Sequence, residues 1–352
     1  MARILIASLK EDAHAGVVAA ALRRLGHDAC LWHGADFPVQ QTQSVAVNDA
    51  GDFHWHARGA GLSGDEAGDG FDTVWARRIQ APQRGETIHP DDVDFVEREL
   101  TQYHSSIWNA IEPDAFWVNP LPRIRPSESK LNQLRIAQDI GMSVPSTLVS
   151  NDPDDIRDFL ALHVDGGTIY KGFFPASWTD EDGRRLALPT RPIRLEDLPS
   201  DDMLQSVPGI FQTRIAKVGE IRLTMFGDYP LAARIDTGDH EAGAEDWRNM
   251  HITRVPMTPY DMPGSVLDRV RRFMREIGIV FGCFDFIVTP DGEHVFLEVN
   301  QAGQWLWVEQ KLPEIPMLAT FCAFLAGGKR DFAGPSESCA IRFEDCLTDI
   351  EQ

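Results

Sequence analysis

Two carboxylates and one amide lie close together near residue 290, namely Asp285, Glu298 and Asn300. Asp291-Gly292 between them is a typical two-residue hairpin turn, because a type I′ turn needs positive φ at both central residues. That turn predicts a register in which Asp285 faces Glu298 across two strands. Asn300 then lies on the same face as Glu298, two residues further along. The stretch thus predicts three oxygen-bearing side chains on one face of a hairpin.

The same register places Val288 opposite Val295. Facing carboxylates repel each other, so a sequence retains such a pair where a cation lies between them. Two carboxylates and an amide oxygen form a hard, all-oxygen ligand set, which suits Mg²⁺ better than zinc. Mg²⁺ held by few protein ligands usually shares its coordination with nucleotide phosphates. We therefore predict a magnesium site; the alternative is that these are solvated residues on the polar face of a sheet.

Basic residues elsewhere supply the positive charge that a polyphosphate needs. Lys130 opens a predicted helix, Lys171 lies in a predicted strand, and two adjacent predicted strands carry Arg222 and Arg234. Lysine binds phosphate as a point charge and arginine as a two-pronged donor. The P-loop pattern G-x-x-x-x-G-K-[ST] does not occur, which excludes a Walker-type site. Each basic residue taken singly is typical of a solvated surface charge, so the prediction depends on the combination.

Length and composition are those of an ordinary soluble globular protein. The chain has 352 residues, 43% of them hydrophobic, which is enough for two or three packed domains. Its net charge of -21 argues against non-specific nucleic-acid binding and against attachment to anionic membranes. Five scattered cysteines without metal-ligand spacing, and the lack of a signal peptide or a membrane-length apolar run, predict a reducing, cytoplasmic setting.

The elements that must position these residues begin with an α/β unit. Strand, helix and strand patterns follow one another, which predicts a parallel sheet, at 3–9, 13–25 and 28–32. The first turn lacks G-x-G-x-x-G, so a dinucleotide fingerprint is absent. A later strand, 71–77, ends in Arg77-Arg78, which either is surface charge or reaches a substrate. Three prolines in 119–126 predict a non-helical segment and a domain boundary near it.

Further helices and strands complete a chain of α+β character. Helices are predicted at 91–111, 129–140, 153–162, 265–277 and 318–325, and strands at 115–118, 144–149, 167–173, 209–215, 219–226 and 229–235. The polar stretch 174–191 is a candidate mobile loop over a ligand. The acid-rich tail after Gly328 is expected to pack loosely or as an appendage.

The order of these motifs resembles the ATP-grasp ligase superfamily. The markers are the helix beginning Ser129-Lys130, the strand Ile-Tyr-Lys171, the hinge-like Phe-Gln-Thr-Arg-Ile215, Glu-Ile-Arg222, and Asp285 with Glu298-Val-Asn300. The resemblance covers residues 115–328. Three stretches resemble the microviridin-type graspetide synthetases more specifically, namely Lys130-Leu-Asn-Gln-Leu, Asp246-Trp-Arg248 and Phe296-Leu-Glu-Val-Asn-Gln-Ala-Gly-Gln-Trp305.

The resemblance implies a fold and a reaction. The fold is of α/β class with α+β domains: an N-terminal pre-ATP-grasp α/β domain at 1–118, central and C-terminal ATP-grasp subdomains at 119–205 and 206–330, and an acidic tail at 331–352. ATP phosphorylates a side-chain carboxylate of a precursor peptide. A Ser or Thr hydroxyl, or a Lys amine, of the same peptide then attacks the acyl phosphate. The product is a macrocyclic ester or amide.

The resemblance also implies a role for each candidate residue. Mg²⁺ is held by Asp285, Glu298 and Asn300. The ATP phosphates are contacted by Lys130 and Lys171, and the transferring phosphoryl group is stabilised by Arg222 and Arg234, with Lys171 also counted as catalytic. Many relatives have Glu at the position of Thr213. The resemblance therefore assigns the nucleotide contacts to Gln212, Arg214, Ile215 and Glu220. The core peptide faces Asp246, Trp247 and Arg248, of which Trp247 is equally well explained by packing.

The implied partner is a ribosomal precursor peptide, with a leader helix and an acidic, hydroxyl-bearing core. The leader is expected on the central or C-terminal domain, near 176–205, and many relatives are homodimers; no nucleic-acid or membrane partner is expected. Two other functions stay open, an ATP-grasp ligase acting on small amino acids or peptide termini and a non-catalytic nucleotide-binding regulator. The intact Asp285, Glu298 and Asn300 argue against the regulator, since a sensor needs none of them.

Overall fold

The structure, a computed structural model, describes residues 1–63, 66–173, 177–187, 190–236, 256–336 and 339–349. Within these ranges the chain forms two four-stranded sheets, one five-stranded sheet and two smaller ones. Short 3₁₀ turns lie at Gly34–Asp36, Pro90–Asp92 and Leu195–Asp197. Among the described helices, none combines the length and the apolar character that a membrane crossing requires. The prediction of α/β class is confirmed.

The N-terminal part is a parallel α/β unit, as its alternating pattern predicts. Its elements are β1 Arg3–Ala7, α1 Ala13–Arg24, β2 Asp28–Trp32, β3 Gln41–Val47, β4 Phe53–Gly59, β5 Glu66–Gly68, β6 Thr73–Ala76, α2 Val93–Ala110 and β7 Phe116–Val118. The parallel sheet has the order β2-β1-β6-β7, and β3, β4 and β5 form a separate antiparallel sheet. Since the carboxyl ends of parallel strands share one edge, Asp12 after β1 comes close to Arg77 after β6.

The central part is an antiparallel sheet with helices on one face. Its elements are α3 Leu121–Glu128, α4 Lys130–Asp139, β8 Thr147–Ser150, α5 Pro153–Leu162, β9 Thr168–Lys171, β10 Ser177–Thr179, β11 Arg185–Ala187, β12 Arg191–Ile193, α6 Asp201–Ser206 and β13 Gly209–Thr213. The sheet order is β12-β9-β13-β8, and β10 pairs with β11 inside the stretch predicted as a loop. Ile156 and Leu160 of α5 and Leu204 of α6 pack against Phe211. The opposite face of this sheet is therefore the one available to a ligand.

The proline-rich segment 119–126 is helical from Leu121 onward, so the prediction of a non-helical segment was wrong. Pro122 lies in the first turn of α3, where a helix needs no N–H donor. Pro126 lies inside the helix and removes one intrahelical bond, toward the carbonyl of residue 122. In so short a helix a single lost bond is tolerated, because packing rather than propensity supports the element.

The C-terminal part is the sheet that carries the predicted metal ligands. Its elements are β14 Gly219–Phe226, β15 Tyr229–Ile235, β16 Met257–Pro259, α7 Gly264–Ile277, β17 Phe281–Val288, β18 His294–Asn300, α8 Leu306–Lys311 and α9 Met317–Gly327. The antiparallel order is β16-β15-β14-β17-β18. Alternate residues of β14, among them Ile221 and Leu223, pack in one apolar cluster with Phe273 of α7. Because strand side chains alternate, Arg222 projects from the opposite face.

The C-terminal tail packs onto the core, so the expectation of a loose appendage was wrong. Ile341 and Cys346 are buried, and a 3₁₀ helix spans Phe343–Asp349. Glu309 of α8 accepts hydrogen bonds from the backbone N–H groups of Phe343 (2.8 Å) and Leu318 (2.7 Å). Burial raises the pKa of the Glu309 carboxyl despite these two donors. Among the described tail residues, Asp331, Glu344 and Asp345 face solvent, whereas Phe332, Ile341 and Cys346 are buried.

One apolar cluster joins the N-terminal unit, the C-terminal sheet and the tail. Its largest contributions come from α1 and α9, and β14 and β17 add Phe226 and Phe281. Other members include Val18, Leu22, Phe321, Phe324 and Cys346. The Thr73 hydroxyl of β6 also donates to the carbonyl of Leu325 at 2.8 Å. Helix α9 thereby connects the parallel sheet to the sheet that carries Arg222 and Asp285.

Candidate nucleotide and metal site

The hairpin between β17 and β18 has a different turn from the predicted one. Gly292 has positive φ (86°), whereas Asp291 does not, which excludes a type I′ turn. The Gly292 N–H donates to the Thr289 carbonyl (2.9 Å), and the Thr289 N–H donates to the Glu293 carbonyl (3.0 Å). The loop is therefore one residue longer than predicted. Val288 consequently pairs with His294, not with Val295.

The predicted pairing of Asp285 with Glu298 is nevertheless correct. The register shifts by one residue between Asp285 and Phe286, which is the signature of a β-bulge. This shift cancels the one introduced by the longer turn, so that Asp285 faces Glu298 and Cys283 faces Asn300. The three predicted ligands thus lie on the same face of two neighbouring strands, as the sequence indicates.

Each of the two carboxylates has a cationic neighbour within the protein. Arg222 Nη1 lies 2.9 Å from Asp285 Oδ1, with both side chains buried. Lys130 Nζ lies 2.8 Å from Glu298 Oε2, with both side chains about three-quarters buried. These cations offset the repulsion that two facing carboxylates would otherwise feel. The two facing carboxylates are thus flanked by Arg222 on one side and by Lys130 on the other.

The oxygen donors of this face fit a magnesium ion that shares its ligands with phosphate. No group of three or more His, Cys, Asp or Glu side chains able to hold a metal occurs in the described ranges, so two carboxylates and one amide are the available set. Such a small, hard ligand set suits Mg²⁺ bound together with nucleotide phosphates. The Asn300 side-chain oxygen already accepts a hydrogen bond from the Ala302 N–H (3.0 Å), which orients it.

Lys130 reaches Glu298 because α4 is fastened to the exposed edge of β18. The Gln133 side chain accepts a hydrogen bond from the Val299 N–H (2.9 Å) and donates one to the Val299 carbonyl (2.9 Å). Gln133 therefore replaces a neighbouring strand at that position. Ser129 caps the helix by accepting from the Asn132 N–H, as expected for a serine before the first turn.

Arg234 does not join Arg222, which corrects the prediction that the two arginines converge. Arg222 pairs with Ala233 across β14 and β15, whereas Arg234 pairs with Ile221 on the other face of the sheet. The Arg234 guanidinium donates to Asp236 Oδ1 (2.7 Å) and to the Val218 carbonyl (2.6 Å). Their location on adjacent strands did not determine whether the two arginines converge, because consecutive residues of a strand project from opposite faces of the sheet.

Lys171 and Gln212 share the helix-free face of the central sheet. Lys171 of β9 pairs with Ile210 of β13, and Gln212 lies two residues after Ile210 on β13. Gln212 is buried; its amide nitrogen donates to the Thr147 hydroxyl (2.8 Å), and its Oε1 has no hydrogen-bond partner among the described residues. A buried acceptor without a partner is costly unless a ligand supplies the donor.

The segment after β13 differs in detail from the expected nucleotide contacts. The Arg214 N–H already donates to the Gly167 carbonyl (3.0 Å), so that donor is not available to adenine. Glu220 lies 2.7 Å from Lys217 Nζ, and both side chains are more than nine-tenths buried. Since Glu220 precedes Arg222 by two residues on β14, its carboxylate lies on the face of the predicted site.

Two buried residues outside the predicted site hold the loop that follows Asn300. Asn119 donates to the carbonyls of Gln301 (3.1 Å) and Phe281 (2.9 Å). Arg77 is buried and donates to loop carbonyls, so it is neither surface charge nor an exposed substrate contact. The one available signal was the position of Arg77 at the carboxyl end of a parallel strand, where ligands and catalytic groups collect.

The predicted core-peptide contacts Asp246, Trp247 and Arg248 lie outside the described residues. Their proximity to Arg222 and Asp285 therefore stays a prediction. The predicted residues that the structure brings onto one face are Glu220, Arg222, Asp285, Glu298 and Asn300, with Lys130 docked at its edge.

Comparison with solved structures places this geometry in a known fold. Macrocyclase MdnB from Microcystis aeruginosa MRC is 26% identical, with a TM-score of 0.74 over 93% of this chain and 100% of that one. A RiPP-associated ATP-grasp ligase from Chryseobacterium gregarium, solved with ADP and a leader and core peptide, is 24% identical, with a TM-score of 0.83 over 94% and 98% of the two chains. Macrocyclase MdnC from Microcystis aeruginosa MRC, bound with precursor peptide MdnA, is 22% identical, with a TM-score of 0.78 over 92% and 99%.

Sequence-level comparisons gave no further relatives: no family model matches, and no curated protein matches. The likeness is thus one of three-dimensional structure, and it extends over nearly the full length of each chain, including the N-terminal unit. The resemblance to ATP-grasp proteins is confirmed at the level of the fold. The chain has the ATP-grasp fold, and the solved structures that it resembles include two macrocyclases and a RiPP-associated ligase.

Proposed function

We propose that the protein is an ATP-dependent, ADP-forming ligase that closes rings in a ribosomal precursor peptide. It activates Asp or Glu side chains of the peptide as acyl phosphates and joins them to Ser or Thr hydroxyls or to Lys amines. The observation that carries the proposal is the cluster of Asp285, Glu298, Arg222 and Lys130, found at 2.8–2.9 Å contacts. It occurs on a chain that matches two solved macrocyclases over 92% and 93% of its length.

The proposed roles follow from charge and position. Asp285, Glu298 and Asn300 would hold Mg²⁺, which would supply positive charge to offset that of the phosphates. The phosphates would be contacted by Lys130 of α4 and Lys171 of β9. The nucleotide base and ribose would be contacted by Gln212, the carbonyl of Arg214, the main chain of Ile215 and Glu220. The Gln212 Oε1 supports this assignment, because it is a buried acceptor that a base amino group would satisfy.

The proposed chemistry has two steps. A peptide carboxylate oxygen attacks the γ-phosphorus of ATP, and the bond to the bridging oxygen breaks, which releases ADP. The hydroxyl or amine then attacks the acyl carbon, loses its proton and expels phosphate, so one water is lost per bond. Arg222 would stabilise the charge of the transferring phosphoryl group, since a preorganised guanidinium costs no reorganisation during the reaction. In-line placement of both reactants supplies the remaining acceleration.

The proposed partner is a precursor peptide recognised through its leader, with Asp246, Trp247 and Arg248 facing the acidic core. The leader peptide and the core peptide bound to the Chryseobacterium gregarium ligase support this proposal. The division into domains at 1–118, 119–205 and 206–330, with a tail at 331–352, is proposed with it. Homodimer formation and a cytoplasmic location stay predictions.

Mass spectrometry of a precursor peptide encoded beside the gene, incubated with enzyme and Mg·ATP, tests the proposal. We expect a loss of about 18 Da per bond, with ADP and phosphate released in equal amounts. No mass loss with any acidic peptide, but a mass gain on a small amino-acid acceptor, would move the function to another class of ATP-grasp ligase. No ATP turnover with any acceptor would favour a nucleotide-binding regulator.

The variant Glu298→Gln links this activity to the predicted metal site. It removes one negative charge from a partly exposed side chain, so we expect a folded protein whose turnover falls by about 100-fold or more. The matched control is Glu293→Gln, an exposed residue in the turn of the same hairpin. Undiminished turnover of Glu298→Gln would contradict the metal assignment while leaving the fold assignment intact.

A further inference from the structure

A buried arginine of the N-terminal unit contacts the loop that follows the metal ligand Asn300. The Arg77 side chain has no exposed surface, and its Nε lies 3.2 Å from Asp12 Oδ2. Its Nη1 donates to the carbonyl of Gly303 at 3.0 Å and also to the carbonyl of Ala302. The contact therefore joins the carboxyl edge of the parallel sheet to the loop at 301–305.

The same loop is tied to the catalytic face from the other side. Arg222 Nη2 donates to the carbonyl of Gln304 at 2.7 Å, while its Nη1 holds Asp285. The Gly303 N–H donates to the carbonyl of Asn300 at 3.2 Å. A shift of this loop would therefore move Asn300 and Arg222 together.

A second residue of the N-terminal unit forms hydrogen bonds with the end of the loop. His14 Nε2 accepts hydrogen bonds from the backbone N–H groups of Trp305 (3.1 Å) and Leu306 (3.2 Å). Asp12 accepts from the His14 N–H (3.0 Å) as the cap of α1, so the cap, the imidazole and Arg77 form one unit. The loop is thus also held by the N-terminal end of α1.

Stability alone does not explain an arginine in this place. Burying a guanidinium is costly because it loses its hydration. Replacing a buried ion pair by well-packed apolar residues of similar volume often leaves the stability unchanged or raises it. Moreover, Arg77 Nη2 is buried and has no hydrogen-bond partner among the described residues, so even this network leaves one donor group unsatisfied. The presence of this buried and partly unsatisfied guanidinium is better explained by the groups that it positions.

We propose that Arg77 is a positioning residue of the metal and phosphoryl site. Through the carbonyls of Ala302 and Gly303 it sets the place of Asn300 and of the Arg222 guanidinium. The N-terminal unit is then a working part of the site and not only a neighbouring domain. The inference rests on the proposed function, since it concerns the same site.

Binding of Mg·ADP, measured by titration calorimetry, tests the role of Arg77 without any peptide. We expect Arg77→Met to weaken Mg·ADP binding about tenfold, as loss of residues that orient metal ligands commonly does. Arg77→Lys should not restore it, because an ammonium cannot hold two carbonyls and a carboxylate in the fork geometry of Arg. The matched control is Arg3→Met, whose guanidinium contacts Asp28 and the carbonyls of Asp69 and Gly70 within the N-terminal unit.

If Arg77→Met fails to fold, Asp12→Asn provides the second test. Asparagine keeps an acceptor for the α1 cap but removes the charge that holds Arg77, so we expect about threefold weaker Mg·ADP binding. Mg·ADP binding equal to wild type in Asp12→Asn and in any folded Arg77 variant would overturn the proposal. A wild-type protein that binds Mg·ADP but crosslinks no peptide would refute the proposed function and leave this test interpretable.

Discussion

At the scale of single residues, the candidate site is a set of charges arranged before any substrate arrives. Asp285 and Glu298 face each other, and Arg222 and Lys130 lie against them at 2.9 and 2.8 Å. Buried ion pairs of this kind contribute little net stability, because desolvation offsets the attraction. What they provide is a fixed geometry, into which a nucleotide and its magnesium ion can enter with little rearrangement.

His14 makes the folded protein sensitive to acid. Burial and the nearby Arg77 lower its pKa to about 3, from an ordinary value of 6.5. Between these values the unfolded chain binds a proton that the folded chain does not, so stability is lost as the pH falls below about 6.5, by up to about 1.4 kcal/mol per pH unit. Above that window His14 is neutral in both states and contributes no pH dependence.

We expect His14→Gln, which keeps an acceptor, to lose less stability than wild type between pH 7 and pH 5, by about 2 kcal/mol. Urea unfolding at the two pH values measures the difference. The matched control is His89→Gln, at an exposed position, which should follow wild type. An equal loss of stability in His14→Gln and wild type would contradict the assigned pKa and its cause.

At the scale of elements, the loop at 301–305 connects β18, which carries two of the predicted metal ligands, to α8 and contacts both sheets. Its glycine is required by close packing. A Cβ on Gly303 would lie 2.7 Å from Cys283 Cβ, 2.8 Å from Cys283 Sγ and 3.1 Å from Arg222 Nη2. Cys283 is itself fully buried on β17, so its side chain cannot move away from the added Cβ. The loop must therefore move if this position gains a side chain.

Gly303→Ala is expected to lower the free energy of unfolding by about 1–3 kcal/mol, the usual cost of overpacking a buried site. It should also weaken Mg·ADP binding, because the displaced loop carries the carbonyl that holds Arg222. Thermal unfolding and calorimetry measure the two effects. Gly85→Ala is the matched control, since a Cβ there would meet no atom within 4 Å. Normal Mg·ADP binding by Gly303→Ala would show that the loop does not position the site.

At the scale of the whole molecule, a single apolar cluster unites segments that are far apart in sequence. Helix α1, the sheet with Arg222, helix α9 and the tail all contribute to it. This shared core explains how Arg77 and His14 can reach a loop more than two hundred residues away. It also gives the tail a structural role through Ile341, Phe343 and Cys346.

Shortening the chain after residue 336 is expected to reduce stability by about 3 kcal/mol, because the buried apolar side chains of the tail are lost. Glu309 would also lose the Phe343 N–H as a donor, which leaves part of a buried carboxylate unsatisfied. Denaturant unfolding checks the effect, beside a control shortened only after residue 349. Unchanged stability after removal of 337–352 would mean that the tail packing contributes nothing to the fold.

Local sequence signals determined much of the fold. The observed bounds of β2, β14 and β15 coincide with the predicted ones, and the chain turns between the last two at Gly227, whose φ is positive (59°). Glycine also ends α7 in the left-handed conformation at Gly278, directly after the predicted helix 265–277. Such features depend on residues within a few positions of each other, so periodicity and turn chemistry are sufficient to find them.

The sequence by itself predicted the pairing of Asp285 with Glu298, although through a shorter turn than the observed one, and it singled out Lys130 as a contact to phosphate. It placed Arg234 in the site, which the tertiary structure corrected. It left two alternatives for Arg77, and only the tertiary structure showed that this side chain is buried. The physical reason is that a strand pattern does not reveal which face of a distant sheet a residue will share. The face of Arg234 follows from pairing with Ile221, and the burial of Arg77 follows from contact with Gly303 across the shared core.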